Sequence, residues 1–402
     1  MISYYWPPCG GPGALRPVKF AKYLSDNGIE PVVLTRKDIA YHTIDRELGN
    51  EIKDVRVIRT ESFDPARLLY IAGMRRYNPR SWQRPIKQGL NFPDHKLPWF
   101  PFAYPASKNM DFDCIYVTAP PFSAFLLGYA IAYARRKPLI LDFRDSWLQF
   151  PFMPYKGILQ RSFVHAWEKK VVHAAHAIIA VDENIKRDLV QRYPGIDQKT
   201  AVIPNGYDPM DLTHADRPTT FTLSYLGTVR KERDPNTILK AVHEAQEEYK
   251  IQDITFKFIG HIEKEFLQPI AHYPFVRILG HLPHTQALHD FAQSHCGIMI
   301  TTGSTYFFPS RQNEYLASGL PLIVCGESKG LHLLEKAFTQ GYPGWVFQYN
   351  DIEGMKKRIG MIYQDFKKGK VLKGKTPYTQ YTRQNLTTQL AQIIKKTLNI
   401  NI

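Results

Sequence analysis

Short apolar runs recur along this 402-residue chain, each followed by a stretch of helical character, and the alternation starts twice. That pattern limits the fold more than any single motif does. Strands separated by helices pair in parallel, and a parallel sheet must be covered on both faces. Up to residue 206, the segments 2–6, 30–35, 55–59, 114–118, 139–143, 177–181 and 201–203 read as strands, and 16–27 as a helix closed by Gly28. The polar segment 207–220 then reads as a linker, and strands resume at 221–226, 255–259, 276–279, 296–300 and 322–324, with a helix at 237–250. The resulting expectation is an α/β protein of two doubly wound, Rossmann-like domains, 1–206 and 221–379, facing an interdomain cleft at the carboxyl ends of both sheets. A final helix within 380–402 carries Leu386, Leu390, Ile393 and Ile394 on one face and is expected to pack back toward the N-terminal domain.

Composition agrees with two cores: 44% of residues are hydrophobic and 13% aromatic. The sequence contains no run long and apolar enough to span a bilayer and no secretory leader pattern, so a cytoplasmic location is expected. Cys9, Cys114, Cys296 and Cys325 are widely spaced and support neither a zinc site nor a disulfide framework. His165, His173 and His176 match no metal-binding spacing, so no metal is expected. The formal charge of +15 points to an anionic partner without choosing among nucleotide, lipid phosphate, membrane and nucleic acid.

The stretch 307–324, FFPSRQNEYLASGLPLIV, is the most pointed motif. It reads as a loop, a short helix with Ser310 as N-cap and Gly319 just past its end, and then a buried strand. Free N–H groups at the helix start beside Arg311 suit a phosphate, and Glu314 can accept from two vicinal hydroxyls, as on a ribose.

Other motifs stand at the ends of strands. Gly10, Gly11 and Gly13 follow the first strand and allow close backbone approach to a diphosphate or sugar, although a plain Pro/Gly turn explains them too. In Leu139-Ile140-Leu141-Asp142-Phe143-Arg144-Asp145-Ser146-Trp147, charges follow directly on a buried strand, where they are costly unless paired or functional. Either they form a structural ion pair, or Arg144 and Asp145 meet a sugar and the reacting centre. Ser123 reads as the N-cap of a helix beginning at Ala124. Gly227, Arg230, Lys231 and Arg233 end the first strand of the second domain and present positive charge suited to a diphosphate.

Residues 67–108 differ in kind. Eight Lys/Arg face a single acid, Asp94, and are interleaved with aromatics that include Trp82, Trp99 and Phe100. That mixture, with Arg84 at its centre, suits an anionic membrane surface or a lipid-borne acceptor; single-stranded nucleic acid is the less favoured partner.

Taken together, the loop 5–13, the block 142–147, Val202-Ile203-Pro204-Asn205-Gly206, the block 227–233 and the segment 310–321 resemble the GT-B glycosyltransferases of family four, which are retaining enzymes. The resemblance implies a nucleoside diphosphate sugar as co-substrate and no other cofactor. It also implies an N-terminal acceptor domain and a C-terminal domain that binds the nucleotide sugar. Glu314 would hold the ribose, Ser310 and Arg311 the phosphate, and Arg233 would take the place of a diphosphate-binding lysine. Asp142, Arg144, Asp145 and Arg233 become the catalytic candidates. Tyr306 stands where the family carries a second acid, Arg144 where histidine is frequent, and Thr228 where arginine is common. The implied activity is sugar transfer to a saccharide or lipid-linked saccharide in surface polysaccharide or glycan synthesis, peripheral to the inner face of the cytoplasmic membrane. The alternatives are a sugar-nucleotide 2-epimerase and a catalytically silent scaffold or nucleic-acid binder.

Overall fold

The computed structural model describes residues 1–41, 43–76, 92–149, 155, 157–209, 218–301, 311–326, 331–370, 372–374 and 379–400. The chain divides into two compact units, Met1–Asn205 with Arg383–Ile402, and Gly206–Thr382.

In the first unit, β1 (Val32–Arg36) pairs in parallel with β2 (Arg56–Thr60). A second parallel set runs β3 (Ile115–Ala119), β4 (Leu139–Phe143), β5 (Ala177–Ala180) and β6 (Thr200–Val202). Ile2 bridges both Leu34 and Val117, so the N-terminal segment lies between β1 and β3 and joins the two sets. The strand expected over 2–6 is cut to this single rung. Pro7 and Pro8, which have no N–H to give a ladder, follow at once and turn the chain away. The first helix is Pro12–Leu24, beginning earlier than expected because Gly11 at φ 88 reverses the chain and Pro12 is pre-set for a first helical turn. The helix Arg383–Thr397 packs against it and buries Leu386, Leu390, Ala391 and Ile394.

The second unit is a six-stranded parallel sheet in the order β12-β11-β10-β7-β8-β9. Its strands are β7 (Phe221–Leu226), β8 (Ile254–Ile259), β9 (Val276–Gly280), β10 (Cys296–Ile300), β11 (Leu322–Cys325) and β12 (Gly344–Phe347). The winding reverses between β7 and β10, and their carboxyl ends form the crevice where ligands settle on such sheets. β12 is an edge strand that the apolar runs did not signal, because it is short and only partly buried. The start of the supposed linker is packed: Tyr207 and Asp208 are buried, and Tyr207 N–H donates to the Tyr381 carbonyl at 3.2 Å.

Candidate functional site

Each unit gathers charged side chains at the carboxyl end of its sheet, and each set is described within its own unit. In the first unit, Asp142 near the end of β4 is fully buried. Its carboxylate accepts from Arg16 Nε at 3.0 Å and Nη2 at 2.8 Å, from Tyr116 Oη at 2.6 Å and from Thr118 Oγ1 at 2.8 Å. Burial pushes its pKa up, but the Arg16 charge and these hydrogen bonds prevail and hold it below the usual carboxylate range. Arg16 also donates to the carbonyls of Ile203 at 2.8 Å and Pro204 at 2.9 Å. Asp142 is therefore a structural anchor between the first helix, β4 and the end of β6, and the expectation of a catalytic role is corrected. Arg16 escaped the sequence reading because nothing local links it to an aspartate 126 positions away.

Arg144 is likewise engaged by protein. Its guanidinium donates to the carbonyls of Gly13 and Pro120, and its Nε to that of Ala119 at 3.3 Å, so it ties the first turn of the helix Pro12–Leu24 to the end of β3 and the segment after it. A Cβ on Gly13 would meet the Tyr5 ring at 3.2 Å and Arg144 Nη1 at 3.6 Å. The Gly10 N–H donates to the Thr43 carbonyl at 3.0 Å. Of the three loop glycines, only Gly11 has positive φ. Gly10 and Gly13 thus accommodate protein packing where open space for a ligand was expected, and Arg144 is a clamp rather than a free catalytic cation.

Asp145 differs from both. It is half-buried, and burial pushes its carboxyl up to about 7 against the pull of Arg144, with Asp182 adding repulsion. Its neighbours are held firmly. Ser146 Oγ donates to Asp188 at 2.8 Å, Asp188 pairs with Arg192 at 2.7 Å, and the Arg192 guanidinium reaches the buried Glu168. Trp147 is buried and stacks on Phe122 at 5.2 Å. Asp145 is the group of the 142–147 block poised to exchange a proton near neutral pH.

The basic–aromatic stretch resolves differently from its pattern. Trp99 is 1% exposed and donates to Thr60 Oγ1 at 2.8 Å, so it is core and not an acceptor or membrane contact. Phe100 is half-buried and stacks on Tyr104. Lys96 is buried against Asp64 at 2.9 Å. Asp94 accepts from Ser123 N and Oγ, both at 2.8 Å, so Ser123 is the first helical residue and its partner comes from a distant loop. Trp82 and Arg84 lie outside the described residues. Exposed apolar side chains occur instead at Phe63, Leu68, Ile71 and Met74, beside Arg75 and Arg76.

In the second unit the helix Gln312–Ala317 follows β10, with Arg311 at the N-cap position and no side-chain cap; Ser310, the expected cap, and Tyr306 lie outside the described residues. Gly319, at φ 67, closes it as expected. Tyr315 fixes this helix to the sheet: its hydroxyl accepts from Leu226 N at 2.8 Å and donates to the Ile298 carbonyl at 2.8 Å. Glu314, adjacent, is 3% exposed, with His284 Nε2 at 3.6 Å and Arg311 Nη1 at 3.8 Å from its two oxygens. Across the crevice, the Tyr225 hydroxyl at the end of β7 donates to the Thr228 carbonyl at 3.0 Å and lies within the fields of Arg233, Arg230 and Arg311. Burial and the neighbouring Arg233 charge lower the Arg230 pKa. Gly227 is required here, since a Cβ would lie 2.9 Å from the Tyr225 hydroxyl. Lys231 is exposed in the turn that follows β7. His284 and Tyr225 were not singled out in sequence; His284 opens a helix after β9, a position that alone suggests a cleft residue.

Two Rossmann-like units, with the C-terminal helix returned to the first, define the GT-B class of glycosyltransferases. The chain has the fold of this class, and residues 18–211 match the family model described as Glycosyltransferase Family 4. Solved structures agree in fold. A sucrose-phosphate synthase from Thermosynechococcus elongatus superposes with a TM-score of 0.66 at 14% identity, covering 99% of this chain and 98% of that one. A glycosyltransferase from Rickettsia africae gives 0.62 at 15%, covering 100% and 99%. The Anabaena protein HepE, in complex with UDP, gives 0.56 at 13%, covering 99% and 96%. No curated protein matches the chain by sequence. Among the described residues, no helix is long and apolar enough to cross a membrane.

Proposed function

We propose that the protein transfers a sugar from a nucleoside diphosphate sugar to a saccharide or lipid-linked saccharide acceptor, with retention at the anomeric carbon, in glycan or surface polysaccharide synthesis. The observation that carries this reading is the meeting of Arg230, Arg233 and Arg311 around Tyr225 beside the buried Glu314. Guanidinium groups fitted to phosphate oxygens stabilise the negative charge that builds on the departing diphosphate. Glu314, held by His284 and Arg311, offers a carboxylate to vicinal hydroxyls of a ribose. The anomeric carbon gains oxocarbenium character as the bond to the diphosphate breaks. In the first unit Asp145, with its pKa near neutrality, is assigned the polar contact to a sugar hydroxyl. The UDP bound by HepE makes UDP the first nucleotide to try.

Incubation with a panel of nucleotide sugars and acceptors tests the reading. Release of nucleoside diphosphate that requires an acceptor supports transfer. Inversion of the sugar with no acceptor dependence would instead mark an epimerase, and no turnover a silent scaffold. Glu314→Ala is expected to weaken nucleotide binding by about 10- to 100-fold, the equivalent of charged hydrogen bonds of about 1.5–3 kcal/mol. Unchanged calorimetric affinity would remove Glu314 from the site.

The same reading places the enzyme peripherally on the inner face of the cytoplasmic membrane. Phe63, Leu68, Ile71 and Met74, with Arg75 and Arg76, supply the apolar and basic groups that such a surface needs. Co-sedimentation with anionic vesicles but not neutral ones is expected, and equal partition would count against it.

A further inference from the structure

Arg36 ends β1 at the carboxyl edge of the first sheet and is fully buried. Its guanidinium lies over the rings of Tyr41 at 5.2 Å and Tyr4 at 5.6 Å. Nη1 donates to the Lys37 carbonyl at 3.1 Å and to the Tyr41 hydroxyl at 3.3 Å. Nε and Nη2 are buried with no hydrogen-bond acceptor among the described residues. These two atoms form one edge of the guanidinium, the edge that presents parallel N–H groups to two oxygens of a single oxyanion.

No carboxylate forms an ion pair with Arg36 among the described residues. The nearby acids have other partners. Asp64 accepts from Lys96 at 2.9 Å and from Tyr4 Oη at 2.7 Å, and Asp38 accepts from Tyr41 Oη at 2.7 Å. Cys9 faces Arg36, Lys96 and Arg144 and its sulfur is a weak acceptor toward Arg36, but burial keeps the thiol protonated, so it supplies no counter-charge. A second cation stands alongside: Arg59, exposed, donates to the Pro7 carbonyl at 2.7 Å and lies at 3.5 Å from the Arg36 carbonyl. A buried charge with an unpaired donor edge is costly, and an anionic ligand removes that cost.

We propose that the first unit binds a phosphoryl oxyanion of the acceptor substrate through Nε and Nη2 of Arg36, with Arg59 as the second cation and the entry side. Two cations face one nearby carboxylate, Asp38, which accepts from tyrosine hydroxyls and forms no ion pair with either among the described residues, and the remaining positive charge favours phosphate over a singly charged carboxylate. The proposal rests on the glycosyl-transfer reading for the word acceptor, but not for the binding site itself. It makes the acceptor a phosphorylated one, either a soluble sugar phosphate or the headgroup of a lipid phosphate.

Calorimetry on the full chain with inorganic phosphate tests it, using Arg36→Met, Arg59→Met and, as a control for the second unit, Arg233→Ala. Phosphate binding is expected to survive in Arg233→Ala and to fall at least about tenfold in the other two, whose UDP affinity stays at the wild-type value. Added phosphate should raise the Tm of the wild type and not that of Arg36→Met. Arg59→Met alters an exposed residue and remains informative should Arg36→Met fold poorly. Wild-type phosphate affinity in Arg59→Met, or no phosphate binding by the wild type, would overturn the proposal. Titration with a hexose phosphate, and with vesicles carrying a polyprenyl phosphate, distinguishes the two sources. Phosphate binding that depends on Arg36 and Arg59, together with no turnover of any nucleotide sugar, would leave this site standing and sink the transfer reading; the converse result would sink the site alone.

Discussion

Asp142 accepts hydrogen bonds from Arg16, Tyr116 and Thr118 inside the first unit, so the ionised carboxylate is the form that the fold holds. Asp142→Ala strands the buried Arg16 charge and is expected to cost about 3–5 kcal/mol in denaturant unfolding, as for other broken buried pairs. Asp145, three positions on, has no such enclosure, and burial raises it from 3.8 to about 7. Between those two pH values the folded state keeps a proton that the unfolded chain loses, so this group makes stability fall as pH rises and level off above about 7. Asp145→Asn removes the titration. The Tm difference between wild type and variant should therefore shift in favour of the variant from pH 4 to pH 7, whereas a difference constant with pH would refute the raised pKa. The spacing of charges after β4 showed that something there needed explanation. It did not show which carboxylate was already paired, because the partner arrives from a helix far away in sequence.

At the scale of elements, the Gln312–Ala317 helix is too short to be stable alone and is held by what it packs on. Tyr315 supplies much of that hold through Leu226 and Ile298, and Tyr342 Oη adds bonds to the carbonyls of Leu320 at 2.9 Å and Leu316 at 3.1 Å. Tyr315→Phe leaves the buried Leu226 N–H without its acceptor, at a cost of about 1–3 kcal/mol. Because Glu314 is the preceding residue, nucleotide affinity should drop along with stability; an affinity loss without any fall in Tm would mean that Tyr315 touches the ligand. Gly319 made the end of this helix readable, since a residue at positive φ after a helix has a strong preference for glycine. Its start is set at Arg311, which makes no side-chain cap, and the expected cap Ser310 lies outside the described residues. Trp99 was misassigned for a related reason: a basic and aromatic composition describes a surface and a core equally well until Thr60 and Tyr4 are seen around the indole.

For the molecule as a whole, each unit has its own core, but the first is completed by residues from the far end of the chain. Ending the chain after Thr382 would remove Leu386, Leu390, Ala391 and Ile394 from the first helix. The first unit should then unfold at lower temperature while the second still binds nucleotide. Loss of nucleotide binding in that truncation would show that the helix serves the second unit too. Strand positions, the restart of the βα pattern and hence the two-unit α/β architecture were legible in sequence, because burial on both faces of a parallel sheet imprints apolar runs locally. The amphipathic face of the last helix was legible for the same reason. The state of each charge was not. Asp142 with Arg16, Arg144 with the Gly13 and Pro120 carbonyls, and Arg36 with its open donor edge are all set by pairings between segments distant in the chain. Hydrophobic periodicity is a local property, whereas whether a charge is compensated depends on which residues the completed fold brings within hydrogen-bond distance.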